Sequence, residues 1–246
     1  MRTIVGRMTD PLRDLASLRA ATERLLTTAH TLENAAVTGP SRLPGWTRGH
    51  VLTHLSRNAD ALVNVLEGRP MYASPEAREA DIESGACRPL DVQLADVRDS
   101  AARLHAVASL PSDWERTVAL RNGVTDRAAR IPFRRLVEVE LHHVDLGAGH
   151  ELEDLPEEFL VRETAFLADR FAGRADVPPT LITVSGGHGT LRTGREGDGD
   201  STDAVSVAGP PASLVGWLAG RRTGDPALTA TGADGAPAAL PVLPAL

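Results

Sequence analysis

Between residues 10 and 146 the apolar residues recur at helical spacing in four long stretches, each bounded by caps and breakers. The first, residues 10–35, places Leu12, Leu15, Leu18, Leu25 and Leu32 near one face, with Asp10 as cap before Pro11. "VTGPSRLPGW" then breaks the chain with Gly and Pro. The second, residues 47–67, carries Val51, Leu52, Leu55, Ala59, Leu62, Val63 and Leu66 behind a Thr47 cap, with Gly68 as its stop. The third, residues 89–109, runs through Leu94, Val97, Ala101, Leu104 and Val107. The fourth covers about 131–146 and ends at Gly147 and Gly149. Between the second and third lies an irregular connection with a short helix at Pro75–Ser84, and between the third and fourth a crossover with a short strand. Four amphipathic helices with one long connection specify a four-helix bundle.

The pattern changes after residue 150. "EDLPEEFLVRETAFLADRFAG" continues as a helix, but "TLITVSGG", "GTLRTG" and "DAVSVAG" are short strands between Gly-rich turns, and "PPASLVGWLAGRR" is a helix opened by Pro. The expected class is therefore α+β, with a bundle over residues 1–150 and a small α/β domain over 151–246. A chain of 246 residues, 42% hydrophobic, is long enough to give each part its own core.

Composition removes several functions. The net charge is −7 and no basic stripe interleaves with aromatics, so a nucleic-acid partner is not expected. No apolar run reaches membrane-spanning length, and the first residues lack the apolar stretch and cleavage site of a secretory signal. Met8 offers an alternative start ahead of the first cap. A soluble, cytoplasmic, monomeric protein is the expectation. All 26 basic residues are Arg, which excludes a lysine Schiff base and a P-loop lysine. Cys87 is the single cysteine, so neither an internal disulfide nor a Cys-rich zinc site can form, and an ordinary unreactive thiol is its simplest reading.

The chemistry concentrates in "RLVEVELHHVDLGAGH", residues 135–150. Glu138 and His142 are i and i+4 on one helical face, and Asp145 extends the column, beside a core column of Val137, Leu141 and Val144. A carboxylate and an imidazole bordering a core need partners. The second helix supplies them in a polar strip of His50, His54 and Asn58. His54 with Glu138 and His142 would make a His₂–Glu set, which leaves a metal such as zinc an open position. The competing reading of each histidine is a hydrogen-bonded core or boundary residue. His50 rivals His54, although its place in the first helical turn is explained by capping. Glu140 and His143 point about 100° or more away from His142 and are assigned to solvent or a domain boundary. His30, His105, His150 and His188 have no ligand-spaced partner and are read as structural. Asp145 is either an ordinary charge near the helix end or a carboxylate that orients an imidazole.

"LPGWTRGHVLTHLSRNADALVN", "MYASPEAREADIE" and "VEVELHHVDLGAG", in this order, resemble the mycothiol-dependent maleylpyruvate isomerase family within the DinB-like thiol-dependent superfamily. Residues 10–150 resemble its metal-binding bundle, and the remainder, more weakly, its sterol-carrier-like C-terminal domain. The resemblance implies a divalent metal, usually zinc, on His54, Glu138 and His142, and so selects His54 over His50. It implies that mycothiol occupies the open metal position and adds as thiolate to the cis double bond of maleylpyruvate. Rotation and elimination then give fumarylpyruvate. It also implies an Arg from the segment "GWLAGRRTGD" in the active site, Arg221 best and Arg222 as rival, to hold a substrate carboxylate. The bland reading of that pair is two cations near a helix C-terminus. Asp145 would orient His142. The sequence departs from the family in "VLEGRPMY", a connection shorter than the family's; if it borders the pocket, the substrate differs from maleylpyruvate. Two other outcomes stay open: a mycothiol S-transferase, if elimination does not follow addition, and a non-catalytic zinc- or lipid-binding protein.

Overall fold

The computed structural model describes residues 9–110, 113–195 and 204–244. The chain divides into two compact units, Thr9–His150 and the described residues from Glu151 onward. No helix among the described residues is long and apolar enough to cross a membrane.

In the first unit α1 (Pro11–Ala29), α2 (Arg48–Leu66), α4 (Leu90–Ala108) and α5 (Ile131–Asp145) form the bundle, with α3 (Pro75–Gly85) as a short addition. α2 packs on α4 and α1 on α5, and the pairs α1–α4 and α2–α5 close the ring. Local chemistry starts each helix. The Asp10 carboxylate accepts from the N–H groups of Leu12 and Arg13, and Ser74 Oγ accepts from Ala77 N–H. At α2 the cap is reciprocal: His50 N–H donates to Thr47 Oγ1, and Thr47 N–H donates to His50 Nδ1. Leu15, Leu18 and Leu25 are buried as the spacing requires, but Leu12 is exposed. α1 also stops at Ala29, short of the expected residue 35, and Asn34–Thr38 form a separate 3₁₀ turn.

The crossover after α4 is a hairpin of β1 (Thr117–Ala119) and β2 (Thr125–Arg127), where one strand was expected. Its turn is Asn122–Gly123, both at positive φ (58° and 73°), the Asn-Gly signature of a tight hairpin.

In the second unit α6 (Glu157–Phe171) and α7 (Pro211–Leu218) pack together beside a four-stranded sheet of order β4-β3-β5-β6. β3 (Thr180–Val184) pairs antiparallel with β4 (Gly189–Thr193) and parallel with β5 (Val205–Gly209), which pairs antiparallel with β6 (Thr229–Thr231). Ile182 and Val207, at the centre of the β3–β5 pair, are fully buried. The fold is thus helical in its N-terminal part and α/β in its C-terminal part.

Candidate metal centre

α2 and α5 lie side by side and bring together residues far apart in sequence. His54 Nε2 lies 2.9 Å from Glu138 Oε2, and His142 Nε2 lies 3.2 Å from the same oxygen. The two imidazoles meet edge to face, their centres 4.8 Å apart. On the far side of His142, Nδ1 lies 2.9 Å from Asp145 Oδ2, a carboxylate with no solvent exposure. That contact fixes the ring and turns its Nε2 toward Glu138. The end of α5 is itself anchored: Arg48 of α2 donates from Nε to the Leu146 carbonyl, and Arg42 N–H donates to the Asp145 carbonyl. These bonds satisfy carbonyls that a helix end leaves without partners. Trp46 packs over His54, 5.4 Å between ring centres.

The electrostatics sort the triad. Burial holds His54 low, at about 4, despite the hydrogen bond to Glu138, so its imidazole is neutral at pH 7. Burial pulls His142 down too, but its hydrogen bonds to Asp145 and Glu138 outweigh this and raise it. Burial would raise Glu138, yet the hydrogen bonds from His142 and His54 hold it well below the usual carboxylate range. A carboxylate, a neutral imidazole and a basic imidazole, all aimed at one point, match the donor chemistry of a divalent cation. The Glu138 side chain is 34% exposed, so the point of convergence is open to solvent on one side.

The other residues of the polar strip go elsewhere. His50 completes the reciprocal cap with Thr47 at the start of α2, and its Nε2 lies 3.1 Å from Glu83. Asn58 Oδ1 accepts from Arg135 Nη1 at 2.8 Å. Glu140 and His143 are both buried, which excludes the assignment to solvent. With His150 they form a second group of ligand-type side chains. It differs from the first in two ways. Glu140 is engaged by Arg24 at 2.6 Å, and the His143 and His150 rings stack parallel, 3.7 Å apart and 9° from coplanar. Nitrogen lone pairs lie in the ring planes, and parallel planes do not converge on one ion. His188 bonds Glu157 at 3.0 Å.

The sequence model of the mycothiol maleylpyruvate isomerase N-terminal domain matches residues 18–147. The chain belongs to the mycothiol-dependent maleylpyruvate isomerase family. The model of that family's C-terminal domain matches residues 154–241. Two crystal structures, of a mycothiol-dependent maleylpyruvate isomerase and of a histidine-to-alanine variant of it, are similar over 98% of this chain and 100% of theirs, at 27% identity and a TM-score of 0.82. No curated protein matches the chain.

Within this isomerase-family bundle, several residues at the centre gave no signal in the sequence reading. Arg78 Nη2 lies 3.3 Å from His54 Nδ1, and its guanidinium sits 5.8 Å from the centre of the Tyr72 ring. An arginine only donates, so Nδ1 accepts and the His54 proton sits on Nε2, toward Glu138. Arg135 is 1% exposed, one turn before Glu138. Its position in the helical spacing, i−3 from a ligand candidate, was the one available clue. In the C-terminal unit the two candidate arginines differ. Arg222 holds both Glu153 oxygens at 2.7 and 2.8 Å and Asp225 at 2.8 Å. Arg221 donates from Nη1 to the Ala219 carbonyl at 2.7 Å.

Proposed function

We propose that this protein is a metal- and mycothiol-dependent cis-trans isomerase that converts maleylpyruvate, or a related cis-enoic acid, to the trans isomer. The observation that carries the reading is the convergence of His54, Glu138 and His142 in a family whose name records that activity. His54 Nε2, His142 Nε2 and a Glu138 oxygen would hold zinc or another divalent cation, at a point open to solvent on one side. A cation bound there lowers the pKa of a coordinated thiol and so supplies thiolate at neutral pH. The chain's one cysteine, the exposed Cys87, is not part of this cluster.

The reaction balances without an added reagent. A C–S bond forms at one carbon of the conjugated double bond, and the electron pair moves to the enolate oxygen. The remaining C–C bond is single and rotates. The enolate then re-forms the double bond as the C–S bond breaks and thiolate leaves. The chain's residues have two tasks: Asp145 orients His142, and the charged donors stabilise the enolate. Residues 68–74, which include most of the connection that departs from the family, line a cavity in the bundle. That placement supports a related acid as substrate alongside maleylpyruvate.

The test is a comparison of the wild type with His54→Ala and Glu138→Gln. Both variants should lose bound zinc by elemental analysis and thiol-dependent isomerisation together. Retention of both properties by His54→Ala would sink the reading. Stable thiol adducts in place of isomer would turn it into an S-transferase.

A further inference from the structure

A cavity of about 650 Å³ lies between the 68–74 connection, the start of α3 and the β1–β2 hairpin. In a chain of net charge −7, it is lined by four arginines, Arg69, Arg78, Arg116 and Arg121, against one carboxylate, Glu79. Not all of these cations are available. Arg69 is paired with Glu67, and Arg116 donates to the Leu66 carbonyl. Arg121 sits on the hairpin turn, exposed, with no ion pair among the described residues. Arg78 pairs with the exposed Glu79 and reaches His54.

Two observations tie the cavity to the metal centre. Arg78 lines it and stands 3.3 Å from Nδ1 of His54, so one imidazole ring separates the guanidinium from the ligand atom Nε2. Tyr72 also lines it, and its phenol, raised first by burial, feels Arg78, Glu138 and Arg121 together. Arg135 adds a buried positive charge in range of Tyr72 and Glu138, with Nη2 unpartnered among the described residues. The contact of Arg78 with His54 is also one that metal binding would release. A metal on Nε2 leaves the ring proton on Nδ1, and two donors then face each other.

We propose that this cavity is the carboxylate-binding site for the acid substrate, with Arg78 and Arg121 as its cations. Arg78 takes the carboxylate in its planar fork beside the metal centre, and Arg121 neutralises the second negative charge of a dianion at the mouth. The ligand class is a small dicarboxylic or keto-acid dianion. The inference rests on the isomerase reading for its substrate, but not for the binding event.

The test measures binding without chemistry. Succinate is saturated and cannot add thiol, and succinamide is its neutral counterpart. Both are titrated calorimetrically into zinc-loaded wild type, Arg78→Gln and Arg121→Gln, with Arg69→Gln as control and zinc content measured in parallel. The expected result is succinate binding weakened at least tenfold in Arg78→Gln and Arg121→Gln, unchanged in Arg69→Gln, with succinamide bound weakly by all. Equal succinate affinity in the wild type and Arg121→Gln overturns the proposal, as does succinamide binding as tightly as succinate. If Arg78→Gln loses zinc or fails to fold, Arg121→Gln alone decides, since its side chain is exposed on a turn. A wild type that binds succinate through these arginines but isomerises nothing with thiol would overturn the isomerase reading and leave this site standing.

Discussion

The imidazole of His142 lies between two carboxylates, Asp145 at Nδ1 and Glu138 at Nε2. A metal must take Nε2 as a lone pair, so it competes with the proton. Because the hydrogen bonds raise the pKa of His142 above 6.5 in spite of burial, that competition begins at a higher pH than for an ordinary histidine. Metal affinity should therefore be full above the raised pKa and fall as pH drops through it. Asp145→Asn keeps a hydrogen bond but removes the charge. Two effects follow, and their signs differ. The proton is held less tightly, so the pH of half-maximal metal release moves down. The imidazole is also a weaker ligand, so affinity on the alkaline plateau falls by roughly 10–100-fold. Chelator-competition titrations across pH would read both; an unchanged plateau and midpoint would show that Asp145 acts only in packing. The pair Glu138 and His142 was legible in the sequence because i, i+4 spacing fixes a helical face. Arg78 was not, because its approach to His54 depends on how α3 lies against α2, which no local periodicity encodes.

That α2–α3 contact is built on two glycines. A Cβ on Gly49 would lie 1.8 Å from the Ala86 carbonyl oxygen and 2.8 Å from Val37 Cγ1, and one on Gly85 would lie 2.4 Å from Thr53 Cγ2. The first contact is with backbone, so no side-chain rotation relieves it. Gly49→Ala should destabilise the protein by roughly 3 kcal/mol, despite Ala's better helix propensity. It should also push α3 away and separate Arg78 from His54. Thermal unfolding checks the first effect. A wild-type melting temperature would show that the helices shift without cost. Helix positions were readable from apolar spacing and caps, as at α2, expected over 47–67 and found at Arg48–Leu66. What escaped was short or turn-defined. β2 and β6 have three residues each, too few to show alternation, although Asn122–Gly123 announces the hairpin before β2. The overrun of α1 came from extending a weak polar tail, "HTLENAA", that lacks the apolar contacts to hold a helix.

At the scale of the whole molecule, the adjacent arginines after α7 make different contacts. Both backbone N–H groups donate to the Gly216 carbonyl, at 2.8 and 2.9 Å, and close the end of the helix. Their side chains then diverge. Arg222 bridges Glu153, at the start of the unit, to Asp225, beyond α7. The hydrogen bond it donates to Glu153 leads the causes that raise its pKa, and its stem packs 3.0 Å from where a Gly216 Cβ would stand. The family resemblance placed Arg221 best for substrate binding, with Arg222 as its close rival. Arg222 has its fork committed to two carboxylates, while Arg221, the residue the family resemblance favours for substrate binding, donates to the Ala219 carbonyl. Arg222→Ala should lower stability by about 1 kcal/mol, allowing for the partial exposure of the pair, with turnover per folded molecule retained. Arg221→Ala should do the reverse, lowering kcat/KM at least tenfold while the unfolding midpoint stays put. Denaturant melts and steady-state kinetics on the two variants give four numbers. If Arg222→Ala abolishes turnover at full folded population and Arg221→Ala does not, the assignment of the pair is inverted.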